Sequence, residues 1–389
     1  MRILIVTGDF PNPQQPTRGT FNFQLARALA RKHEVVVIAP VSWRDEWRLR
    51  ARRTELERAR TLHGLEVHHP RYYYPPGMLR TAYGWFLWRS VASTAGNVLA
   101  AFQPDVVMGY WLHPDGEVAL RIAKLAGVPG VVMSGGSDVL LLARDSARRK
   151  CMTRVLQGAD AAVFVSEHLG RAAAQLGLED TPIHIVRRGV DLDLFCPGDQ
   201  ASSRRRLGLD AKQLVLLWVG RMVRVKGLDV LIDACARLQR GALDFALYLA
   251  GDGPLRQELD KRAATMGVAG RVVFAGVVQH GDLPDWYRAA NVTVLPSRSE
   301  GVPNVLLESI ACGTPFVASD VGGIAEIADT LRDRLVPAEN AAALAQALSE
   351  VAGGRTTTRR RFTPVSWEQS AASLEEVFRE VIEERKRPR

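Results

Sequence analysis

Cysteine is scarce in this 389-residue chain: Cys151, Cys196, Cys235 and Cys312 stand about forty or more residues apart, and no CxxC pair occurs. That spacing excludes a disulfide scaffold and a cysteine-ligated metal, and suits free buried thiols in a reducing compartment. Long hydrophobic runs are missing too. Stretches such as Val139–Ala143 and Leu214–Val219 fall far short of the ~20 apolar residues that span a bilayer. The opening Met1–Gly8 has too short an apolar stretch, and no small-residue cleavage site, for a secretory signal. The expected location is the cytoplasm. No G-x-x-x-x-G-K-S/T run is present, and Gly251-Asp-Gly253 lacks the third glycine of a dinucleotide fingerprint. No His, Cys or Asp cluster has metal-ligand spacing, and Asp191-Leu-Asp193 lies in linker-like sequence. Neither a metal nor a bound cofactor is expected. Lysine supplies only 7 of the 51 cations. A single arginine is therefore weak evidence of a site, whereas a well-placed lysine stands out.

What is present is the composition of a soluble globular chain, 47% apolar and 24% charged. It is long enough for two domains of roughly 150–200 residues. The net charge of +9 is uneven: 25 Lys+Arg against 18 Asp+Glu through Gly198, then 26 against 24. A basic N-terminal half can attract nucleic acid, an anionic membrane face or phosphorylated metabolites. No nucleic-acid recognition module accompanies it, so no nucleic-acid partner is expected. Short apolar strands alternate with helical stretches: Arg2–Val6, Glu34–Ala39, Asp105–Met108, Gly130–Met133, Ala161–Val165 and Ile183–Val186 in the first half. Leu214–Val219, Phe245–Ala250, Val272–Phe274, Val292–Leu295 and Phe316–Ala318 continue the rhythm. It predicts an α/β chain with parallel sheets covered on both faces. Residues 189–203, rich in Gly, Pro, Asp and Ser, read as a linker between domains at 1–188 and 204–365. Trp367–Arg385 reads as a long amphipathic helix. In such folds ligands bind outside the carboxyl ends of the strands, so chemistry belongs in the loops that follow them.

Ser299-Glu-Gly-Val-Pro-Asn-Val-Leu-Leu-Glu308 is one such loop and helix start. Pro303 suits the first helical turn, leaving the amides of Asn304, Val305 and Leu306 directed outward as a diphosphate site. Glu308 lies one turn beyond Asn304 on the same face, and Glu300 on the other side of the phosphate position. Carboxylates accept hydrogen bonds from sugar hydroxyls well. The plain alternative is a solvated loop glutamate and the polar face of an apolar helix. Val219-Gly-Arg-Met-Val-Arg-Val-Lys-Gly-Leu228 supplies a second anion signal. Gly220 and Gly227 permit tight turns, and Arg221 and Lys226 can converge on one acceptor. A lysine at a helix start opposes the dipole unless an anion lies between. In the first half, Gly19 either admits a ligand to the following helix or closes an ordinary βα loop. Tyr110-Trp-Leu-His-Pro-Asp-Gly116 puts His113 on a loop after a strand, and Asp138 reads as an N-cap.

Together these segments resemble family 4 glycosyltransferases, retaining enzymes of the GT-B fold. Residues 300–308 match the family's Glu-x7-Glu motif, and GRMVRVKG, LAGDGPLR, VSEHLGR, RGVDLDLF and ACGTPFVASDVGG stand in the expected order. The resemblance implies two facing Rossmann-like domains with a deep interdomain cleft. The donor would lie on the C-terminal domain and the acceptor on the N-terminal one, with a final helix at 366–389 crossing back to the latter. It implies that Arg221, Lys226 and the amides of Asn304, Val305 and Leu306 hold the donor diphosphate, with Gly19, Gly220 and Gly301 among the donor-binding positions. Glu308 would bind the ribose, Glu300 the hydroxyls of the transferred sugar, and Val278, in the loop Gly276–Gln279, the base. Relatives with an H-W-x-x-P-D-G loop carry histidine where Tyr110 stands. Tyr110 and His113 are therefore catalytic candidates beside Glu300.

The function so implied is metal-independent, retaining transfer of a hexose-type sugar from a nucleotide sugar to a glycan or lipid-linked acceptor, in cell-surface polysaccharide or glycolipid biosynthesis. A non-catalytic sugar-nucleotide-binding or assembly subunit, and an epimerase or phosphorylase of the same fold, are the alternatives. Aromatic and cationic residues alternate in Trp43–Arg53, and rings recur in Tyr72–Leu79 and Tyr83–Trp88. They suit peripheral contact with an anionic membrane surface at its inner face. Core packing plus a solvated helix is the other reading.

Overall fold

The computed structural model describes residues 1–13, 15–51, 56–176, 181–351 and 360–387, with backbone alone for 49–51. Residues 52 and 53 of the aromatic–cationic stretch, and 388 and 389 of the final segment, lie outside the described residues. The chain divides into two compact units: unit 1 is Met1–Gly189 with Trp367–Arg389, and unit 2 is Val190–Ser366.

In unit 1 the Val- and Ile-rich runs form strands, where β-branched side chains suit the pleat. These are β1 (Arg2–Val6), β2 (Glu34–Ile38), β3 (Ala59–Leu62), β4 (Leu65–His68), β5 (Val106–Tyr110), β6 (Gly130–Ser134), β7 (Ala161–Phe164) and β8 (Ile183–Ile185). Their order is β8-β7-β6-β5-β1-β2-β4-β3, and every pairing is parallel except β3 with β4. That one hairpin lies outside the expected strands. Its turn, His63-Gly64, has φ of 48° and 86°, the two left-handed positions of a tight hairpin that Asn-Gly fills more often. Helices α1 (Thr20–Leu29), α2 (Tyr83–Phe102) and α3 (Glu117–Ala126) flank the sheet. Leu87, Val91 and Ala95 of α2, with Val118, Ala119 and Ile122 of α3, form one core with Leu4, Val6, Val36 and Val107. Each such large apolar side chain contributes ~1.5–3 kcal/mol by leaving water. The final helix, Trp367–Lys386, packs on α1 through buried Leu374, Val377, Phe378 and Val381, with Glu375 3.3 Å from His33.

Unit 2 repeats the plan with β9 (Leu214–Val219), β10 (Phe245–Ala250), β11 (Val272–Gly276), β12 (Val292–Leu295), β13 (Phe316–Ser319) and β14 (Arg334–Val336). The order is β11-β10-β9-β12-β13-β14, all parallel. The Rossmann strand order 3-2-1-4-5-6 describes it, and describes unit 1 as far as its central strands. Helices α4 (Leu228–Arg240), α5 (Leu283–Ala289) and α6 (Asn304–Ala311) follow β9, β11 and β12. The expected linker at 189–203 needs correction, since much of it is folded into unit 2. Phe195 is 1% exposed and packs against Tyr287, the Arg288 guanidinium donates to the Cys196 carbonyl, and Asp199 caps a helix over Gln200–Leu207. Pro, Gly, Asp and Ser mark caps and turns as well as linkers, and here they do the former. Among the described residues no helix is long and apolar enough to cross a membrane.

Candidate functional site

In both units the strand order reverses beside the first strand of the sheet, and two loops leave the carboxyl ends there. In unit 2 these loops follow β9 and β12, which pair through Leu216–Val292 and Leu217–Thr293. They bring Lys226 and Glu300 together: Lys226 Nζ donates to Glu300 Oε1 at 2.6 Å, with side chains 25% and 11% exposed. The sequence put Lys226 with Arg221 on the diphosphate, and Glu300 across the phosphate position from Glu308; the structure pairs Lys226 with Glu300. Gly227 turns at φ 65°, and a Cβ there would collide with the Pro296 carbonyl oxygen. Only glycine lets the two loops approach so closely. Gly322 plays the same part against the Glu300 carbonyl, and Gly323 N–H donates to the Gly301 carbonyl at 2.8 Å. Arg298, unremarked in the sequence, staples the loops. Its guanidinium reaches both Asp229 oxygens, Glu339 and the Arg224 carbonyl, and its N–H donates to Val225. Its placement depends on three separate loops, which no local motif reveals. Gly220 N–H bonds the Ala250 carbonyl. Arg221 is exposed. Val278 is half-buried after β11, two strands from the reversal.

The start of α6 differs from expectation. Pro303 precedes the helix, with extended ψ of 125°, and its carbonyl accepts from the amides of Leu306 and Leu307. Leu306 is thereby removed from the outward amide set, which narrows to Asn304 and Val305. Glu308 is not a solvated face: it is 8% exposed, and the Tyr287 hydroxyl of α5 donates to its Oε2 at 2.8 Å. Burial pushes its carboxyl up to about 7, the Tyr287 bond opposing. Tyr287 was legible only as part of a helix.

At the corresponding place in unit 1, the loop Gly8–Gly19 follows β1 and the loop from Trp111 follows β5. Asp115 joins them, its Oδ1 accepting from the Gly8 amide at 2.8 Å. It is 7% exposed, and burial pushes its carboxyl up to about 7 against the pull of that amide. Asn22 holds the same loop through the Asp9 carbonyl, and Arg18 through the Asp9 carboxylate. Gly19 has φ 57°, and a Cβ there would collide with the Asp9 carbonyl oxygen. Loop closure alone therefore accounts for this glycine. Asp138 is not an N-cap; buried, it accepts from Ser134 and from the Leu112 amide.

Tyr110 and His113, the catalytic candidates of the loop after β5, are both buried in unit 1. Tyr110 ends β5, is 1% exposed, packs on Phe21 and accepts from Arg188 Nη2 at 2.8 Å. Burial pushes its phenol up to about 12. His113 is 8% exposed and lies 3.5 Å from Glu117, with a hydrogen bond to the Thr81 backbone. Burial, with Arg148 and Arg154 adding, pushes its imidazole down to about 4, so it is neutral at pH 7. Spacing places both residues near a strand end but says nothing of which way each ring turns. Among the described residues no three His, Cys, Asp or Glu side chains gather as metal ligands.

Comparison with known proteins identifies the family and the fold. Residues 213–353 match the family described as Glycosyl transferases group 1, and residues 19–194 match Glycosyltransferase Family 4. D-inositol 3-phosphate glycosyltransferase 1 of Catenulispora acidiphila is 36% identical over 257 residues, 59% of this chain, which thus spans little more than half of that relative's length (59%). The putative teichuronic acid biosynthesis glycosyltransferase TuaC of Bacillus subtilis is 28% identical over 90% of this chain and 88% of its own. Among solved structures, sucrose-phosphate synthase of Thermosynechococcus elongatus superposes with a TM-score of 0.77 at 20% identity, covering 99% of this chain and 97% of that one. Anabaena HepE in complex with UDP gives 0.69 at 18%, covering 99% and 98%. With two Rossmann-like units, a Glu-x7-Glu segment at the strand reversal of the second, and these relatives, the chain belongs to family 4 of the glycosyltransferases and has their GT-B fold.

Proposed function

We propose that the protein is a metal-independent, retaining glycosyltransferase. It moves a hexose-type sugar from a nucleotide-diphosphate sugar to a glycan or lipid-linked acceptor, in cell-surface polysaccharide or glycolipid biosynthesis. The observation that carries this reading is the Lys226–Glu300 pair at the strand reversal of unit 2. One cation for a diphosphate and one carboxylate for sugar hydroxyls stand where this fold holds ligands. The donor diphosphate draws Lys226 away from Glu300, Arg221 reaches in from its exposed loop, and the Asn304 and Val305 amides complete the anion site. Glu300, released, accepts from hydroxyls of the sugar. Tyr287 holds Oε2 of Glu308 so that Oε1 serves the ribose, and the loop at Val278 meets the base.

In the transfer, the bond from the anomeric carbon to the diphosphate breaks, and the acceptor oxygen bonds to the same face of that carbon. The acceptor's proton passes to the departing phosphate oxygen. Lys226 and Arg221 stabilise the charge that departs, so neither a protein nucleophile nor a metal is needed. Tyr110 and His113, turned inside unit 1, shape its loop and take no part in the step. HepE was solved with UDP and with UDP-glucose, and TuaC is named for teichuronic acid biosynthesis; both names support the donor class and the polysaccharide setting. The same reading places the enzyme in the cytoplasm, resting on the inner membrane face. Trp47, Met78 and Leu79 are each more than half exposed.

A thermal-shift panel of sugar nucleotides identifies the donor, because a ligand that binds only the folded form raises its stability. Nucleoside diphosphate should then be released only when an acceptor is supplied, and in the presence of EDTA. Binding without acceptor-dependent release would support the non-catalytic alternative. Loss of activity on chelation, restored by Mg²⁺, would overturn metal independence.

A further inference from the structure

We infer that a pocket of about 630 Å³ in unit 1 binds a carboxylate- or phosphate-bearing sugar unit of the acceptor, so that the enzyme extends an anionic glycan. The inference rests on the glycosyltransferase reading above and names the class of its acceptor. The pocket lies between α2 and the segments flanking the β3–β4 hairpin, at the carboxyl end of β4. That is the edge of a parallel sheet at which ligands bind in such folds.

Three guanidiniums line it, those of Arg58, Arg71 and Arg89, and among the described residues no carboxylate does. Two of them are held in place from behind. The buried Glu46 carboxylate accepts from Arg58 Nη2 at 2.6 Å and from Arg71 Nε and Nη2 at 2.6 and 2.5 Å. One carboxylate shared by two guanidiniums leaves net positive charge, and the side chains lose little further freedom when an anion arrives. Arg89, exposed, lies over the Trp85 ring, 5.7 Å from its centroid.

The rest of the lining suits a saccharide. Tyr73 and Phe86 add rings, with the Arg71 guanidinium 5.5 Å from the Tyr73 ring centroid, and Thr94 and Asn97 stand at i and i+3 on one face of α2, one turn beyond Ser90, whose hydroxyl donates to the Phe86 carbonyl and accepts from the Tyr73 amide. An inorganic anion would leave most of such a volume empty, whereas it is the size that holds a molecule of several rings. Cations, rings and a ladder of hydroxyl and amide groups together describe a charged pyranose.

The test uses the full chain, with calorimetry of a glucuronate-containing tetrasaccharide and a neutral glucose tetrasaccharide of equal length. The charged one should bind at least tenfold more tightly, and its affinity should fall as salt rises. Arg89→Glu should weaken it tenfold or more, and Asn97→Trp, which fills the pocket, should do the same. Nucleoside diphosphate affinity, measured on the same samples, should not change. Equal binding of the two tetrasaccharides, no binding of the charged one, or indifference to both substitutions would overturn the inference. So would anionic vesicles that displace the tetrasaccharide and themselves lose binding in Arg89→Glu, which would assign the pocket to a lipid surface. Loss of diphosphate binding in the parent protein would instead fault the donor reading on unit 2, so the two failures are distinguishable.

Discussion

Units 1 and 2 share a strand order and a place for chemistry, yet fill that place differently. In unit 2 the loops at the strand reversal present charge: Lys226 and Glu300 meet at 2.6 Å with partial access to solvent, and Arg221 is exposed on the loop that carries Lys226. In unit 1 the equivalent loops also carry a part-exposed pair, Arg18 with Asp9 at 3.3 Å, but Asp115 is buried against the Gly8 amide and Tyr110 and His113 are turned inward. Exposed charge can exchange one partner for another, and so can take up and release a ligand. A buried carboxyl spends its hydrogen bonds on the backbone, and so fixes a loop. On the proposed reading, the unit 2 pair is the one that meets the donor's charge, and the buried groups of unit 1 hold its loop in shape.

The largest effects should come from breaking the unit 2 pair. Lys226→Ala removes a charge-assisted bond to the diphosphate, worth roughly 1.5–3 kcal/mol, and should weaken nucleoside diphosphate binding by one to two powers of ten. Glu300→Gln should do the reverse to binding: Lys226, freed of its partner, keeps or improves its hold on the diphosphate while turnover falls by roughly a hundredfold or more. Calorimetry and initial rates on both variants check this. Equal loss of diphosphate affinity in the two would show that the pair acts as a single structural brace.

The two units also differ in how much their sequences disclose. Leu214–Val219, Phe245–Ala250 and Val292–Leu295 are apolar runs, buried but for the half-buried Tyr248, whose ends coincide with the strands observed. Glu300 and Glu308 are legible because a fixed spacing on a loop and helix fixes their neighbourhood. The Ala59–Leu62 strand is not legible in that way, being a half-exposed edge segment with an Arg at its second residue. Nor are Arg298 and Asp115, whose parts depend on segments far apart in the chain: Asp115 bonds an amide 107 residues away. Pro303 was placed one position too far into its helix because φ near −77° suits both the cap and the first turn; only ψ distinguishes them.

A middle-sized effect should come from Asp115. Asp115→Ala leaves the part-buried Gly8 amide without its acceptor, at a cost of about 1–3 kcal/mol, read as a lower urea midpoint. The pH dependence is more specific. A carboxyl whose pKa is raised on folding stabilises fully only below its unfolded value, near ~3.9, and that contribution is lost as pH rises toward 7. Asp115→Asn cannot ionise and escapes the loss. Its melting temperature minus that of the parent should therefore increase between pH 5 and pH 7.5. Parallel curves would mean that Asp115 titrates as an ordinary carboxyl. His113 works in the opposite sense, since a neutral buried imidazole stabilises above ~6.5 and loses that contribution as pH falls toward 4. His113→Asn should flatten the acid side alone.

The smallest effect should come from Tyr110→Phe, and it separates the two units most cleanly. On sequence alone Tyr110 takes the place of a histidine that faces the donor, and its loss should lower turnover. In the structure the hydroxyl is buried and accepts from Arg188, whose guanidinium also lies 4.6 Å from the Phe21 ring centroid. Phenylalanine keeps the ring against Phe21 and removes one hydrogen bond. The stability cost should be near the ~0.5–1.5 kcal/mol typical of such a bond, raised somewhat because a cation loses its acceptor. Turnover at saturating donor and acceptor should change less than threefold, because no proton or substrate contact is lost. Rates and urea midpoints measured on the same preparations decide between the positions. A drop in turnover of a hundredfold with an unchanged midpoint would show that the phenol reaches the reacting sugar, and that unit 1 also presents chemistry at its strand reversal.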